Sequence, residues 1–243
     1  MVLSSCAAYS GGLLGRGPFP AVLFNHGSGS IPEPRLPGSL GPVFARHGYT
    51  FLWLFRRGAG LSSDQGTNSG ALMARALAEK GQEGRNEVQL QLQEVELRDV
   101  MAGLAFLRAH PGVDGGRVAI AGHSFGGQLT LLAAEQDTGL RAAVTFGAAA
   151  GSWDKSPELR DRLLVAVRNI QIPIFLMHAA NDFSVLPGQV LAAELARLKR
   201  PHELKIYPAF GDTPEIGHRA VYSDVASWEA DVFRFLDEHV RSR

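Results

Sequence analysis

Short apolar runs alternate with longer amphipathic segments along almost the whole chain. Six of these runs predict strands, and most of the six are apolar without a polar alternation, which is typical of strands that are buried on both faces. The predicted strands are Ala21–Asn25, Thr50–Phe55, Arg117–Ala121, Ala142–Phe146, Ile172–His178 and Glu203–Tyr207. Strands that alternate with helices predict a single α/β domain over residues 1–243, with a mostly parallel, doubly wound sheet and helices on both faces.

The clearest predicted helix extends from about Glu87 to His110, because apolar residues recur there at three- and four-residue steps before Pro111. Further helices are predicted at Gln128–Glu135, Pro157–Asn169, Pro187–Arg197 and Tyr222–His239. The stretch between Phe146 and Ile172 has room for one helix only, so no large cap domain is expected.

Two segments interrupt the alternation. Ser28–Gly41 is rich in proline and glycine, which predicts a surface loop with little secondary structure. Ser62–Gly84 begins with polar turn residues and predicts a short helix at Ala71–Lys80. Insertions at the ends of parallel strands often shape binding clefts, so both segments, together with the loop Ala209–Gly217, are expected to border the site.

The composition narrows the classes of partner. The chain has 243 residues with 24 basic and 24 acidic side chains, so its net charge is zero, and no basic run suggests nucleic acid. No apolar stretch approaches the roughly 18 residues that span a bilayer, and no signal segment is recognisable, which predicts a cytoplasmic protein. The single cysteine, Cys6, excludes an internal disulfide. Neither a metal-binding motif nor a cofactor motif such as a P-loop occurs, so no metal or cofactor is expected.

The pentapeptide Gly122-His123-Ser124-Phe125-Gly126 lies where a predicted strand meets a predicted helix. This Gly-x-Ser-x-Gly pattern predicts a sharp turn that exposes the hydroxyl of a nucleophilic serine. Glycine suits both flanking positions because bulkier side chains would collide with the neighbouring strand and helix. A chance match in a glycine-rich chain is the alternative, and the strand–helix context argues against it.

A serine nucleophile needs a base, and the base needs an orienting acid. His218 is the candidate base, since it follows the last predicted strand in a polar loop before the C-terminal helix. Asp182 is the candidate acid, since a strongly apolar strand delivers it at its carboxyl end. Asp212 and Glu215 are rivals, but they share the loop of His218, from which the back of its ring is harder to reach.

A third element must stabilise the oxyanion of the reaction. The small residues after the first strong strand let backbone N–H groups approach a substrate carbonyl, so the N–H groups of Ser28 and Phe125 are the predicted donors. His26 is then expected to be a buried architectural residue, and His123 a wall of the pocket. The other histidines considered, His47, His110, His202 and His239, are expected to be solvated.

With these residues in place, the chain resembles the dienelactone-hydrolase-like branch of the α/β-hydrolase superfamily. The resemblance covers Gly17–Leu23, Asn25–Gly27 and the rest of the chain to the C-terminal helix, and Arg57–Ser62 is similar to the Arg-Gly-x-Gly-x-Ser turn of related esterases and peptidases. It implies the α/β-hydrolase fold, whose triad has the chain order nucleophile, acid and base.

By resemblance, Ser124 is the nucleophile, Asp182 the acid and His218 the base, with Ser28 and Phe125 as the oxyanion donors.

Two departures qualify what the resemblance implies. Dienelactone hydrolases use a cysteine nucleophile with a glutamate near the oxyanion loop, whereas this chain has Ser124 and His26, which favours general ester hydrolysis. The short N-terminal segment is expected to lack the first strand or two of the family fold. Either the sheet is smaller or another copy completes it, which leaves a homo-oligomer open.

The leading hypothesis is a serine carboxylesterase that acts on short-chain or compact aromatic esters as small-molecule substrates. One alternative is a peptidase of the prolyl-oligopeptidase type with the same triad, although no propeller-like repeat occurs. A second alternative is a non-catalytic member of the fold that binds a ligand, although such proteins typically lose a triad residue.

Overall fold

The computed structural model describes residues 7–9, 17–29, 35–136 and 139–242. Its centre is a seven-stranded sheet with the spatial order β1-β3-β2-β4-β5-β6-β7. All neighbouring strands from β3 to β7 pair in parallel, and only the short edge strand β1 is antiparallel. In chain order the strands are β1 (Ala7–Tyr9), β2 (Phe19–Asn25), β3 (Thr50–Leu54), β4 (Val113–His123), β5 (Ala143–Phe146), β6 (Ile174–Ala179) and β7 (His202–Tyr207).

The mostly parallel, doubly wound sheet predicted from the sequence is confirmed. All six predicted strands are present, with bounds that differ by up to four residues at one end. The short edge strand β1 was not among them, and the expectation that the N-terminal segment lacks a strand or two of the family fold stays a prediction. Cys6 and residues 30–34 of the predicted loop Ser28–Gly41 lie outside the described residues.

Eight α-helices are present in the described ranges. They are α1 (Arg35–Arg46), α2 (Ser69–Ala109), α3 (Phe125–Gln136), α4 (Pro157–Asn169), α5 (Leu186–Arg197), α6 (Pro214–His218), α7 (Ala220–Ser223) and α8 (Val225–Leu236). Alternate side chains along a strand point to opposite faces. Accordingly, Ala21 and Leu23 of β2 join a core with α2 to α5, whereas Val22 and Phe24 join a second core with α1 and α8.

Helix α1 corrects the prediction of an irregular loop over Ser28–Gly41. Although the segment contains proline and glycine, one face of the helix is apolar. Leu40, Val43 and Phe44 on this face are buried in the second core. The Phe44 ring stacks on Phe51 of β3 with centroids 4.6 Å apart. Burial of these side chains outweighs weak helix propensity, as most helical stability comes from tertiary packing.

Helix α2 unites two segments that the sequence treats as separate. It runs from Ser69 to Ala109 with a kink at Gly81, whose φ of +69° lies in the left-handed region that favours glycine. The predicted helix Ala71–Lys80 is the part before this kink, and the predicted Glu87–His110 is most of the part after it. The kink lets the first part lie along the carboxyl edge of the sheet while the second part covers its face.

The C-terminal region differs from the single predicted helix Tyr222–His239. It divides into α7 and α8 at Asp224, and a π-helical turn, Asp237–Arg241, follows. Residues 147–173 contain one α-helix and one short 3-10 turn, Trp153–Lys155, in accordance with the prediction of one helix there. None of the helices described is long and apolar enough to cross a membrane.

Candidate active site

Ser124 occupies a sharp turn between β4 and α3, with φ of +56°. A non-glycine residue in this left-handed region stores strain, which persists only where the surroundings fix it. A Cβ atom on Gly122 would lie 2.4 Å from the carbonyl oxygen of Gly126, and one on Gly126 would lie 2.2 Å from that of Asn25. Only glycine therefore permits this close approach of strand, turn and helix.

The three predicted triad residues come together at the carboxyl edge of the sheet. The Nε2 atom of His218 lies 2.9 Å from Oγ of Ser124, and its Nδ1 atom lies 2.6 Å from Oδ1 of Asp182. Because a carboxylate only accepts hydrogen bonds, Nδ1 of His218 carries the hydrogen. The neutral ring then leaves Nε2 free to accept from the Ser124 hydroxyl, which is the tautomer that proton abstraction requires.

Asp182 is ionised in this arrangement. Burial of its carboxylate, which is 1% exposed, raises its pKa, but hydrogen bonds from His178 and His218 lower it more, and the resulting pKa is about 2. The rival acids Asp212 and Glu215 are both exposed, whereas Asp182 makes the contact with His218. A charged acid behind the base is what stabilises an imidazolium during the reaction.

His123 and Tyr222 form a second contact to His218, one that the sequence does not indicate. Nε2 of His123 donates to the carbonyl oxygen of His218 at 2.8 Å, and the Tyr222 hydroxyl donates to Nδ1 of His123 at 3.1 Å. Burial, followed by the charge of His218, lowers the pKa of His123 to about 3, so its ring is neutral. His123, which was predicted to be a wall of the pocket, thus also connects the serine turn to the segment that holds His218.

The loop after β2 is held by a buried ion pair. The Arg56 guanidinium donates to the carbonyl oxygens of His26 at 2.8 Å and Gly27 at 3.3 Å, and its Nε donates to Glu96 of α2 at 2.6 Å. Arg56 and Glu96 are at most 1% exposed. His26 is buried beside them, and burial together with the Arg56 charge lowers its pKa well below the usual range. The expectation that His26 is a buried architectural residue is confirmed.

The two predicted oxyanion donors, Ser28 and Phe125, lie in the loop after β2 and at the start of α3. The carbonyl oxygen of Ser28 accepts from the backbone N–H of Gly70 at the start of α2, at 2.9 Å. Phe125 is the first residue of α3, and the first four N–H groups of a helix have no partner within it. Ser28 and Phe125 both line the same pocket as Ser124.

This pocket has a volume of about 440 Å³ and a lining that contains both apolar and polar side chains. Its lining includes the apolar side chains Met73, Phe125, Ala149, Phe183 and Tyr222 and the polar side chains Arg85, Gln89, Gln128, Ser152 and Lys155. No described residue of Ala209–Gly217 lines it, so that part of the predicted border is wrong. Residues 149–155, which the prediction did not include, take that place, because the turn after β5 lies closer to the serine.

Arg85 is one of the cationic residues that line the pocket. It donates to Oε1 of Gln89 at 2.9 Å and to Oγ of Ser152 at 3.4 Å, and within the described ranges it has no carboxylate partner. Burial lowers its pKa. None of the residues that line the pocket is Asp or Glu, whereas Arg85, Lys155 and Arg219 are cationic. The pocket lining therefore favours bound molecules that carry hydrogen-bond acceptors or negative charge.

One of the histidines that were expected to be solvated makes contacts in the structure. His47 is not simply solvated, since its ring stacks on Phe233 with centroids 3.7 Å apart and its Nε2 contacts Glu229. In the parts of the chain that the structure describes, no group of three or more His, Cys, Asp or Glu residues could hold a metal ion.

A model of the dienelactone hydrolase family matches residues 44–239 of this chain. A comparison with curated proteins found no match. Among solved structures, an esterase from Pyrococcus furiosus is 17% identical with a TM-score of 0.65, covering 91% of this chain and 82% of the esterase. Est1E from Butyrivibrio proteoclasticus, whose structure holds ferulic acid, is 18% identical with a TM-score of 0.66, covering 98% and 96% of the two chains.

Peptidases are also similar in structure. The acylaminoacyl peptidase of Pyrococcus horikoshii is 17% identical with a TM-score of 0.66, over 93% of this chain. This chain spans only 38% of that peptidase. At such identities the likeness shows the fold alone, which is the α/β-hydrolase fold without a large cap.

Proposed function

Because the chain belongs to the dienelactone hydrolase family, we propose that it is a serine carboxylesterase that hydrolyses short-chain or compact aromatic esters. The observation that carries the proposal is the hydrogen-bond chain from the Ser124 hydroxyl through His218 to Asp182. Family membership supports a hydrolase in general, and the esterase neighbours support an ester as the substrate.

In the proposed reaction, Nε2 of His218 takes the proton of the Ser124 hydroxyl while Oγ attacks the ester carbonyl carbon. The carbonyl oxygen becomes an oxyanion. The carbonyl then re-forms as the bond between its carbon and the alcohol oxygen breaks, and the imidazolium gives its proton to the departing alcohol. The acyl group remains on Ser124. A water molecule that loses a proton to His218 attacks the carbonyl carbon of this acyl-enzyme. The imidazolium then returns the proton to Oγ of Ser124 as the bond between Oγ and the acyl carbon breaks, which releases the acid and the free serine.

The proposed oxyanion donors are the N–H groups of Ser28 and Phe125. In the loop after β2, Arg56 donates to the carbonyl oxygen of His26, and the N–H of Gly70 donates to that of Ser28. These contacts support the proposal that the loop turns its carbonyl groups away from the reaction centre. The N-terminal end of α3 adds the positive end of a helix dipole beside Phe125. Fixed donors of this kind typically account for about 10²–10³ in turnover each.

The size of the pocket supports compact substrates. Its volume of about 440 Å³ falls near the lower part of the range of about 300–1,000 Å³ that is typical of small-molecule sites. An aromatic acid or a short acyl chain fills such a space, whereas a long acyl chain extends into solvent and gains no further burial.

The proposal is tested with nitrophenyl butyrate and an aminoacyl nitroanilide as parallel substrates. Ser124→Ala should reduce turnover of the butyrate by about 10⁶, because a triad nucleophile acts as a unit with its base. Ser63→Ala, an exposed serine in the turn after β3, is the matched control and should retain full activity. Faster cleavage of the amide would favour a peptidase, and absence of hydrolysis in the wild type would favour a ligand-binding protein.

A further inference from the structure

His178 makes a buried contact that the proposed reaction does not use. It is the penultimate residue of β6, and its side chain is 1% exposed. Its Nδ1 atom is 3.0 Å from Oδ2 of Asp182, the oxygen on the opposite side of the carboxylate from His218. The triad acid therefore lies between two histidines, His178 and His218.

The Asp182 carboxylate is held by donors on both of its oxygens. Oδ1 accepts from Nδ1 of His218 at 2.6 Å and from the backbone N–H of Phe183 at 2.8 Å, and Oδ2 accepts from His178. Because an ionised carboxylate only accepts, the hydrogen of His178 is on Nδ1. A carboxylate bonded on both oxygens cannot rotate about its Cβ–Cγ bond without losing a donor, so its plane is fixed toward His218.

The ring of His178 is itself fixed by its surroundings. A Cβ atom on Gly188 of α5 would lie 2.8 Å from Cδ2 and 2.9 Å from Nε2 of His178, so the helix backbone packs directly on the ring. In the sheet, His178 pairs with Ile206 of β7. A rigid strand and a closely packed helix thus determine where its Nδ1–H group points.

We propose that His178 is a positioning residue for the triad, which holds the Asp182 carboxylate in the plane that orients His218. The inference rests on the proposed function for its effect on catalysis, whereas the contact between His178 and Asp182 is independent of that function. His178 does not line the pocket that holds Ser124, and its side-chain hydrogen bond in the described part of the chain is to Asp182, so it acts through that carboxylate.

The first test compares two substitutions of His178. His178→Leu fills a similar volume without a donor, and we expect kcat for nitrophenyl butyrate to fall about 10- to 100-fold with KM unchanged, the effect of one hydrogen bond to a charged group. His178→Asn keeps an N–H group near the place of Nδ1, and its kcat should stay within about fivefold of the wild type. Retention of more than a third of wild-type kcat in folded His178→Leu would overturn the proposal.

The second test is a double-mutant cycle with Asp182→Ala. If His178 acts through Asp182, His178→Leu should reduce the residual kcat of Asp182→Ala by less than about twofold, and an equal loss in both backgrounds would overturn the proposal. The same cycle on denaturant unfolding should give a coupling of at least about fivefold in the folding equilibrium constant. Additive effects on unfolding would also overturn it.

The unfolding cycle separates this inference from the proposed function. If the wild type hydrolyses no ester, the proposed function fails, yet the coupling between His178 and Asp182 remains measurable. If His178→Leu does not fold, His178→Ala, which adds no bulk against Gly188, replaces it in both arms of the cycle.

Discussion

The backbone of Gly126 lies so close to the end of β2 that the effect of adding a methyl group there can be predicted from distances. A methyl group there would lie 2.2 Å from the carbonyl oxygen of Asn25 and 2.3 Å from that of His26, where ordinary contacts begin at 3.4 Å. Both obstacles are backbone atoms at the end of β2. They must therefore retreat by about 1 Å, and they carry with them the loop that holds the proposed oxyanion donor Ser28.

Two effects of Gly126→Ala on stability oppose each other. Alanine in the first turn of α3 gains up to about 1 kcal/mol of helix propensity, whereas overpacking costs about 1–3 kcal/mol. The steric cost should win by about 1–2 kcal/mol, which lowers the melting temperature by about 2–8 °C for a chain of this size. The activity should respond more strongly, since a 1 Å misplacement costs about 10²-fold in rate.

The assay is the kcat/KM for nitrophenyl butyrate together with a thermal melt. Gly116→Ala is the matched control, because it lies in the same strand as the serine turn and its new methyl group would meet only Asp114 at 3.4 Å. The control should match the wild type in both measurements. Full activity and full stability in Gly126→Ala would refute the interpretation that the turn and the loop after β2 are fixed by their contact.

Three further predictions follow from the electrostatics and shape of the pocket. Asp182, with a pKa of about 2, stays ionised and His123, with a pKa of about 3, stays neutral above pH 4, so neither adds a step to the pH profile, and kcat/KM should rise only as the histidine base becomes neutral. A profile that is flat from about pH 5 to 9 would contradict a histidine base. Butyrate esters should exceed palmitate esters in kcat/KM, because each further methylene contributes its roughly 0.8 kcal/mol only while it is buried, and a preference for palmitate would contradict the open pocket. Arg85→Met should lower kcat/KM about tenfold for a nitrophenyl hemisuccinate but less than threefold for the butyrate, whereas Arg98→Met, exposed on the same helix, should change neither.

The sequence predicts the parts of the site that depend on short-range order. Ser124 lies in a local motif whose glycines, strand and helix are all adjacent in the chain. Asp182 and His218 could be selected because the carboxyl ends of parallel strands meet at one edge of the sheet, so chain order and strand position limit the candidates. Their contact distances are consistent with those choices, and their catalytic roles remain proposals.

The features that escaped prediction depend on long-range contacts. Helix α1 forms because Leu40 and Phe44 find partners on β3 and α8, which no local pattern shows in a segment rich in proline and glycine. The pairing of Arg56 with Glu96 joins residues 40 positions apart. His178 lies only four residues from Asp182, but the apolar strand β6 gives no sign that its histidine turns toward the acid.

Helix α2 explains how a fold without a large cap forms a pocket with a fixed loop. Its first turn binds the carbonyl of Ser28, its middle places Arg85 in the pocket wall, and its later part supplies Glu96 to Arg56. Breaking a buried ion pair by removal of one partner costs about 3–5 kcal/mol, because the other charge stays buried. The loop after β2 therefore depends on α2 for both its carbonyl contacts and its charge balance. The second half of this kinked helix packs in the core. The helix thus fixes the loop that carries the proposed oxyanion donor Ser28, as Asp182 and its neighbours fix the base His218.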